Sequence, residues 1–320
     1  MKISHGIKIS TANKTLWFKT MIAKLAVIFI FIAIIYSVAT AVIKPILESL
    51  ELKNLVACVR EIVSDFIVVN NDDMSENGVI FKDATLALLS FIQSRTASFI
   101  WAGVGIVILI QVAKFILSMF DYVIGVNINE HMSSMLHAGF FGTLFENFKP
   151  AICYAGFRTL LIFGYNIITC GLLVTLFVVF VDSLGILSLT VVLLLLFVLI
   201  ALRLMVSGLI LPIMICENVG VIVAVKESFK YYQAQDMFNR FLAYFITSFC
   251  VYVVIFVAGV VSFNVGYILL VPFASIIFKT LRFVDYYTIK SKKYYITFDE
   301  IVIPKELRQN DEQLLNKVDI

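Results

Sequence analysis

Charged side chains are scarce in this sequence. Asp, Glu, Lys and Arg make up 15% of its 320 residues, whereas apolar residues make up 61% and the mean hydropathy is +0.99. An ordinary soluble domain is about half apolar and about a quarter charged, so the composition excludes that class and predicts an integral membrane protein. A transmembrane helix needs about 20 apolar residues, and the chain therefore has room for about six or seven spans and one substantial segment outside the membrane.

Residue types that carry catalysis or bind metals are also sparse. The chain has three histidines and five cysteines, and no two cysteines form a CxxC pair, which argues against a zinc site or a disulfide framework. His131 and His137 lie six residues apart, unlike the i, i+4 histidines of HExxH. Motifs of the GxSxG, GxxxxGK[ST] and paired-carboxylate types do not occur. We therefore expect a protein that is not an enzyme and holds neither metal nor cofactor; a membrane enzyme would have to combine these histidines with Asp121 or Glu217.

Six apolar runs alternate with more polar segments. The runs cover residues 21–43, 97–120, 157–181, 185–211, 241–263 and 266–283. Tight turns around Ser183 and Asn264 predict antiparallel hairpins, one of the third run with the fourth and one of the fifth with the sixth. We therefore predict an all-α fold, a polytopic membrane helix bundle of about six transmembrane helices with interfacial amphipathic helices. An even number of spans places both termini on the same side of the membrane.

The spans divide the chain into five regions. These are a cytoplasmic basic arm (1–20), the first transmembrane helix (21–43), an extracytoplasmic helical segment (44–96), the other five helices of the bundle (97–283) and a cytoplasmic tail (284–320). Helical periodicity from Leu47 to Phe66 and from Ile80 to Gln93 predicts two helices in the extracytoplasmic segment, which we interpret as caps of the bundle. Met132 to Phe148 is interpreted as an interfacial helix. The β-forming residues from Tyr294 to Phe298 predict a short strand or hairpin.

Basic residues are concentrated on one side of this topology. Lys and Arg in short flanking segments resist translocation. If the N-terminus is cytoplasmic, the lysines of the basic arm and the basic residues at the other inner ends fall inside, while the acidic 44–95 segment and both tight turns fall outside. We therefore predict a multi-pass protein of the cytoplasmic (plasma) membrane with both termini inside. A cleavable signal peptide is the alternative for the first run, because Ala39-Thr40-Ala41 resembles a cleavage site, but the length of the run favours an anchor.

Five basic residues lie in or near the apolar runs, where a charged side chain costs roughly 2.5 to 3.5 kcal/mol at the helix centre. They are Lys114, Arg158, Arg203, Lys279 and Arg282. The predicted topology places all five in the cytoplasmic half of the bundle, so they are candidates for one shared site that binds an anionic lipid headgroup. The alternative is that each long side chain reaches the interface by itself. Asp121 and Glu217 lie at the inner ends of two spans, and their expected partners are Lys114 and Arg203.

The stretch from Pro212 to Tyr287 carries a series of short motifs. Pro212 closes the fourth span, Glu217-Asn218-x-Gly220 follows, a helix continues from Ala224 to Lys230, and the sixth span contains Val271-Pro272-Phe273 and leaves the membrane as Phe283-Val284-Asp285-Tyr286-Tyr287. This order resembles the membrane domain fused to some glycerophosphoryl diester phosphodiesterases and related six-helix bacterial membrane proteins of unknown function. The resemblance covers under a third of the chain. It implies a six-helix architecture, but the acidic 44–95 segment and the lack of a phosphodiesterase domain in this sequence depart from that family.

These features favour a non-enzymatic integral membrane protein that engages anionic lipid or a partner subunit through its cytoplasmic face. We expect membrane lipids and a membrane partner subunit as partners, and no nucleic acid, because no basic run with interleaved aromatics occurs. The helix from Val219 to Tyr232 is the predicted docking surface. Its docking residues are Ile222, Val225, Phe229 and Tyr232.

The alternative function is that of a transporter or permease subunit. Gln111 and Asn166 are the deep uncharged polar residues, and each more often joins helices than binds substrate. A transporter should have a polar cavity near the membrane midplane around these two residues. A lipid or partner binder should instead have a closed midplane and an open basic groove on its cytoplasmic side.

Overall fold

A computed structural model describes residues 3–68, 74–135, 139–184, 187–231, 237–262, 265–297 and 300–304, with side chains described outside 62–79 and 181–186. The helices are α1 (Ile3–Ala12), α2 (Lys14–Leu47), α3 (Leu50–Val68), α4 (Met74–Ser94), α5 (Thr96–Ser134), α6 (Phe140–Glu146), α7 (Phe148–Leu184), α8 (Leu187–Val206), α9 (Ile210–Cys216), α10 (Val221–Lys230), α11 (Met237–Val261) and α12 (Val265–Ile289). The strands are β1 (Tyr294–Thr297) and β2 (Glu300–Val302).

Six helical stretches of the described chain are long and apolar enough to cross a membrane. They are Lys14–Leu47, Thr96–Ser134, Phe148–Phe180, Leu187–Cys216, Met237–Val261 and Val265–Ile289. The predicted all-α, multi-pass membrane architecture is therefore confirmed. The two predicted hairpin turns are short, since α8 begins at Leu187 after α7 ends at Leu184, and α12 begins at Val265 after α11 ends at Val261.

The chain forms two compact units, one from Met1–Val27 with Lys114–Ile320 and one from Ile28–Ala113. The second unit contains the later part of α2, the helices α3 and α4 packed on each other, and the start of α5. Ser49 begins α3, and its hydroxyl accepts a hydrogen bond of 3.1 Å from the Leu52 backbone N–H, which is the usual way to satisfy a free donor at a helix start. The two helices predicted between the first two spans are thus present, with bounds of Leu50–Val68 and Met74–Ser94.

The core of the first unit lies where the later part of α5 meets α9 and α12. Tyr122, Ile124 and Ile128 of α5 are buried there with Leu211 of α9. Gly125 permits this approach, because a Cβ at that position would lie 2.8 Å from Ile215 Cδ1. Two helices pack this closely only where one of them presents a small side chain.

The second span is longer than predicted. The helix α5 continues beyond Phe120 to Ser134, and α7 begins at Phe148, so the bounds of the predicted interfacial helix, Met132 to Phe148, are wrong. The described part of that stretch holds the end of α5 and the short helix α6, and Met135, the residue after α5, has a positive φ of 59°. That α6 lies at the membrane interface stays a prediction. The apolar run ends at Asp121, but the helix continues because its polar residues are buried among partners.

The N-terminal segment is helical and packs on the first unit, although the sequence predicts only a basic arm at 1–20. Ser10 Oγ donates a hydrogen bond of 3.0 Å to Thr280 of α12, and His5 Nδ1 lies 2.8 Å from the Tyr294 hydroxyl of β1. Gly6 touches Leu281, since a Cβ there would lie 2.5 Å from Leu281 Cδ2. The buried face of α1 therefore combines the apolar Ile9 with the small Gly6 and the polar Ser10, a mixture too short and too polar for hydropathy to detect.

The strand prediction in the tail is confirmed. The strand β1 pairs antiparallel with β2, with Tyr294 opposite Val302 and Tyr295 opposite Ile301. An exposed ion pair of 2.9 Å joins Lys8 of α1 to Glu300 of β2. The hairpin and α1 therefore lie together at the end of the first unit where α12 terminates.

Candidate anion site

Asp121 of α5 is the centre of a buried charge cluster. Lys24 Nζ of α2 and Lys279 Nζ of α12 each lie 2.7 Å from Asp121 Oδ1, and Arg158 Nη1 of α7 pairs with Oδ2. The exposed fraction is 8% for Lys24, 6% for Asp121 and 3% for Lys279. Four helices thus bring three cations to one carboxylate.

Ser275 of α12 supports two of these cations. Its Oγ accepts a hydrogen bond of 2.7 Å from Lys24 Nζ, and its backbone carbonyl accepts one of 3.1 Å from Lys279 Nζ. A hydroxyl and a carbonyl supply dipoles but no net charge. One carboxylate therefore faces three cations, and the cluster keeps a positive excess.

Arg203 of α8 lies beside this cluster. Its Nη1 donates a hydrogen bond of 3.2 Å to Asn166 Oδ1 of α7, and its guanidinium lies 5.8 Å from the ring centroid of Tyr165. Tyr165 in turn donates a hydrogen bond of 2.6 Å to the Leu199 carbonyl. The polar residue Asn166, predicted to join helices, does so by fixing an arginine.

Arg282 of α12 is 6% exposed, and its buried Nε has no hydrogen-bond partner among the described residues. A buried donor without a partner costs roughly 1 to 3 kcal/mol, and more when the group is charged. The carboxylate that lies one turn further along α12, Asp285, is 3.6 Å from Arg240 Nε. Arg282 therefore presents an unsatisfied, positively charged donor inside the protein.

Two cavities open onto these arginines. One has a volume of about 60 Å³ and the other about 200 Å³, and Arg158, Arg203, Leu204 and Arg282 line both of them. Lys279 and Ser275 also line the larger cavity. We call this pair of cavities the cationic cavity. Its described lining carries four cations, and Asp121 and Lys24 lie directly behind Lys279 and Arg158.

The structure therefore brings four of the five predicted cations together. Arg158, Arg203, Lys279 and Arg282 line the cationic cavity. Lys114, the fifth, is half-buried about two turns before Asp121 in α5, and it is not among the lining residues. That an anion binds in the cationic cavity stays a prediction.

Lys24 was not among the predicted site residues, although it contacts Asp121 directly. The signal in the sequence was its position, since it is the charged residue inside the first apolar run. This position alone does not predict a buried contact, because a lysine near the start of a span is normally explained by its reach to the interface. In the structure its side chain is instead turned inward to a carboxylate and a serine.

The predicted partners of the two carboxylates differ from the observed ones. Asp121 pairs with the three cations described above, not with Lys114 or Arg203. Glu217 Oε1 lies 2.9 Å from Lys290 Nζ and accepts a hydrogen bond of 2.9 Å from the Tyr286 hydroxyl. Burial alone would raise the pKa of Glu217, but the hydrogen bonds from Lys290 and Tyr286 hold that pKa below its ordinary value.

The predicted docking helix is present as α10, but its residues differ in exposure. Ile222 is 74% exposed and Phe229 is 55% exposed, whereas Val225 packs partly against the core. Tyr232 lies outside the described residues. The exposed face of α10 therefore combines apolar Ile222 and Phe229 with the exposed lysine Lys226.

The described part of the chain contains no group of three His, Cys, Asp or Glu side chains placed to hold a metal ion. His131 Nε2 lies 3.4 Å from the Ile296 carbonyl of β1, and His137 lies outside the described residues. The side chains that gather in this protein are cations, which attract anions rather than metals.

No family model, curated protein or solved structure matches this chain. The resemblance of residues 212–287 to the membrane domain associated with phosphodiesterases therefore stays a prediction.

Proposed function

We propose that this multi-pass membrane protein is a non-enzymatic binder of a phosphate-bearing anion, held in the cationic cavity by Arg158, Arg203, Lys279 and Arg282. The observation that carries the proposal is that the buried Nε of Arg282, beside a positive excess, has no hydrogen-bond partner in the described segments. A phosphate oxygen accepts strong hydrogen bonds from guanidinium groups, often two at once. Such an anion would satisfy the free donor and balance the charge together.

The proposal includes an orientation in the cytoplasmic membrane with both termini inside. The cationic cavity then lies in the inner half of the bilayer, where basic pockets between helices bind anionic headgroups. The exposed face of α10 fits this orientation. A helix with Ile222 and Phe229 on the same exposed face as Lys226 has the character of a segment that lies in the headgroup region or contacts a membrane partner.

The proposal predicts loss of bound anionic lipid when the arginines are neutralised. The experiment is native mass spectrometry of gently solubilised protein, comparing the wild type with the double variant Arg203→Gln, Arg282→Gln. A charged hydrogen bond contributes roughly 1.5 to 3 kcal/mol, and about 1.4 kcal/mol corresponds to a tenfold change in affinity. We therefore expect retained anionic lipid to fall at least about tenfold.

The matched control is the double variant Lys149→Gln, Lys293→Gln. It changes the net charge equally but removes cations that are exposed, so its lipid retention should equal that of the wild type. Gel filtration of all three proteins checks that each remains monodisperse. Equal retention of anionic lipid in the wild type and the arginine variant would contradict the proposal. It would favour the transporter or partner-subunit interpretation instead.

A further inference from the structure

A second, apolar cavity lies between α11 and α12. Its volume is about 220 Å³, and the side chains that line it are apolar or cysteine. They are Cys250, Val251, Val254, Ile255, Leu270, Phe273, Ala274 and Ile277. We call this cavity the α11–α12 groove. An enclosed apolar space of about 150 Å³ is enough to bind benzene, so the groove is large enough for a segment of hydrocarbon.

The α11–α12 groove adjoins the cationic cavity. Ile255 and Ala274 line both spaces. On α12 the groove is lined by one face of the helix, which carries Leu270, Ala274 and Ile277. The neighbouring face carries Ser275 and Lys279, which line the cationic cavity. A ligand that extends from the arginines into the groove therefore has to pass only the side chains of Ile255 and Ala274.

The position of the cations along α12 matches the polarity of a lipid. The groove extends from Leu270 to Ile277, roughly 10 Å along the helix axis. The cationic cavity overlaps it, since its lining on α12 runs from Val271 to Arg282, but its cations Lys279 and Arg282 lie beyond the groove toward the end of α12. That end carries the β-hairpin and α1. In the proposed orientation the cations are nearer the cytoplasmic surface and the groove is nearer the bilayer centre.

We propose that the anion in the cationic cavity is the phosphate of a phospholipid and that one acyl chain of this lipid lies in the α11–α12 groove. This inference is based on the proposed function, since it needs the anion site. It adds to that function the chemical class of the ligand. A free phosphate or a water-soluble phosphate ester would contact the cations but has no hydrocarbon chain to fill the groove.

The experiment separates the chain from the headgroup with two ligands and one pair of variants. Phosphatidylglycerol retention is measured by native mass spectrometry, and glycerol 3-phosphate binding is measured by titration calorimetry on the same protein in detergent. Val254→Trp fills the groove at a residue that is not part of the cationic cavity. Val178→Trp on α7 is the control, since Val254 is 58% and Val178 is 60% exposed.

The expected result is that Val254→Trp lowers phosphatidylglycerol retention at least about fivefold and leaves glycerol 3-phosphate binding within about twofold of the wild type. Val178→Trp should change neither. If Val254→Trp retains lipid like the wild type while Arg203→Gln, Arg282→Gln loses it, the acyl chain does not lie in the groove. The proposed anion site would still be supported. A wild type that holds neither ligand would overturn the proposed function and the groove together.

A second measurement does not depend on the folding of a tryptophan variant. Phosphatidylglycerol with a diazirine on its acyl chain is photo-crosslinked to wild-type protein, and the modified peptides are mapped by mass spectrometry. We expect cross-links on Cys250–Ile255 and Leu270–Ile277 that disappear in Arg203→Gln, Arg282→Gln, while cross-links near Ile168, which is 72% exposed on α7, persist. If the cross-links in the groove and those near Ile168 were lost together or persisted together in the arginine variant, a specific site for the acyl chain would be contradicted.

Discussion

Replacement of Asp121 by asparagine is the sharpest test of the charge cluster. Asparagine keeps the size of the side chain but removes the negative charge that faces Lys24, Arg158 and Lys279. Removal of one partner from a buried ion pair destabilises a protein by about 3 to 5 kcal/mol, because the other partner is left buried without compensation. We expect Asp121→Asn to lower the free energy of unfolding by that amount.

The assay is reversible unfolding in mixed micelles without added phospholipid, and the control is Glu300→Gln. Both substitutions change a carboxylate to its amide and break a lysine pair, but Glu300 and Lys8 are 44% and 54% exposed in their side chains. Exposed pairs contribute only about 0.2 to 1 kcal/mol. Equal destabilisation by the two substitutions would refute the reasoning that burial makes the Asp121 cluster important.

The same variant connects stability to ligand binding. Asp121→Asn increases the positive excess around Arg158 and Lys279, so an anionic ligand should stabilise this variant more than the wild type. A ligand present at about 100 times its Kd adds roughly 2.7 kcal/mol to the free energy of unfolding. Added phosphatidylglycerol should therefore restore between about half and about nine-tenths of the lost stability, whereas a zwitterionic lipid should not.

Two further outcomes follow from other contacts. Gly259→Ala should lower the thermal midpoint, since the added Cβ would clash with the Tyr267 ring, whereas Gly171→Ala, with nothing within 4 Å of its Cβ, should not. Differential scanning fluorimetry compares the two variants. Burial raises the pKa of Glu217, but the hydrogen bonds from Lys290 and Tyr286 outweigh it and hold the pKa below its ordinary value of 4.5. The stabilisation by Glu217 is therefore present above about pH 4.5 and is lost as the pH falls further. Glu217→Gln should remove that acid-dependent part of the thermal midpoint, and an unchanged pH profile would contradict this.

Much of the architecture could be predicted from the sequence because membrane spans depend on local composition. A window of apolar residues long enough to cross the bilayer forms a helix whatever its neighbours are, since every backbone N–H and C=O must be satisfied within the segment. The six spans and the β-hairpin therefore follow from residues close together in the chain. The last turns of α5 and the first turns of α7 could not be predicted in this way, because they depend on contacts between residues that are distant in sequence.

Asp121 illustrates what local composition does not contain. A lone carboxylate marks the end of an apolar run, and the sequence gives no sign that Lys24, Arg158 and Lys279 converge on it from three other helices. Once these pairs form, the charge is stabilised inside the bundle and α5 continues for several turns. The sequence does not predict the contacts of α1 for a related reason, since Ile9 is the single apolar side chain among its three buried residues and the others, Gly6 and Ser10, are small or polar.

The balance of charge separates a structural cluster from a binding site. The pairing of Lys24, Arg158 and Lys279 with Asp121 can be explained by stability alone, because each cation has the same carboxylate as a neighbour. Individual reach to the interface does not explain Arg282, which is 6% exposed and whose buried Nε has no hydrogen-bond partner within the part of the chain that the structure describes. Arg203 donates to the amide of Asn166, which is uncharged and does not balance the charge of the guanidinium. A fold that needed only internal pairing would gain stability by losing these two charges. We therefore expect the Arg203→Gln, Arg282→Gln variant to be at least as stable as the wild type in lipid-free micelles and less stable than the wild type when phosphatidylglycerol is present.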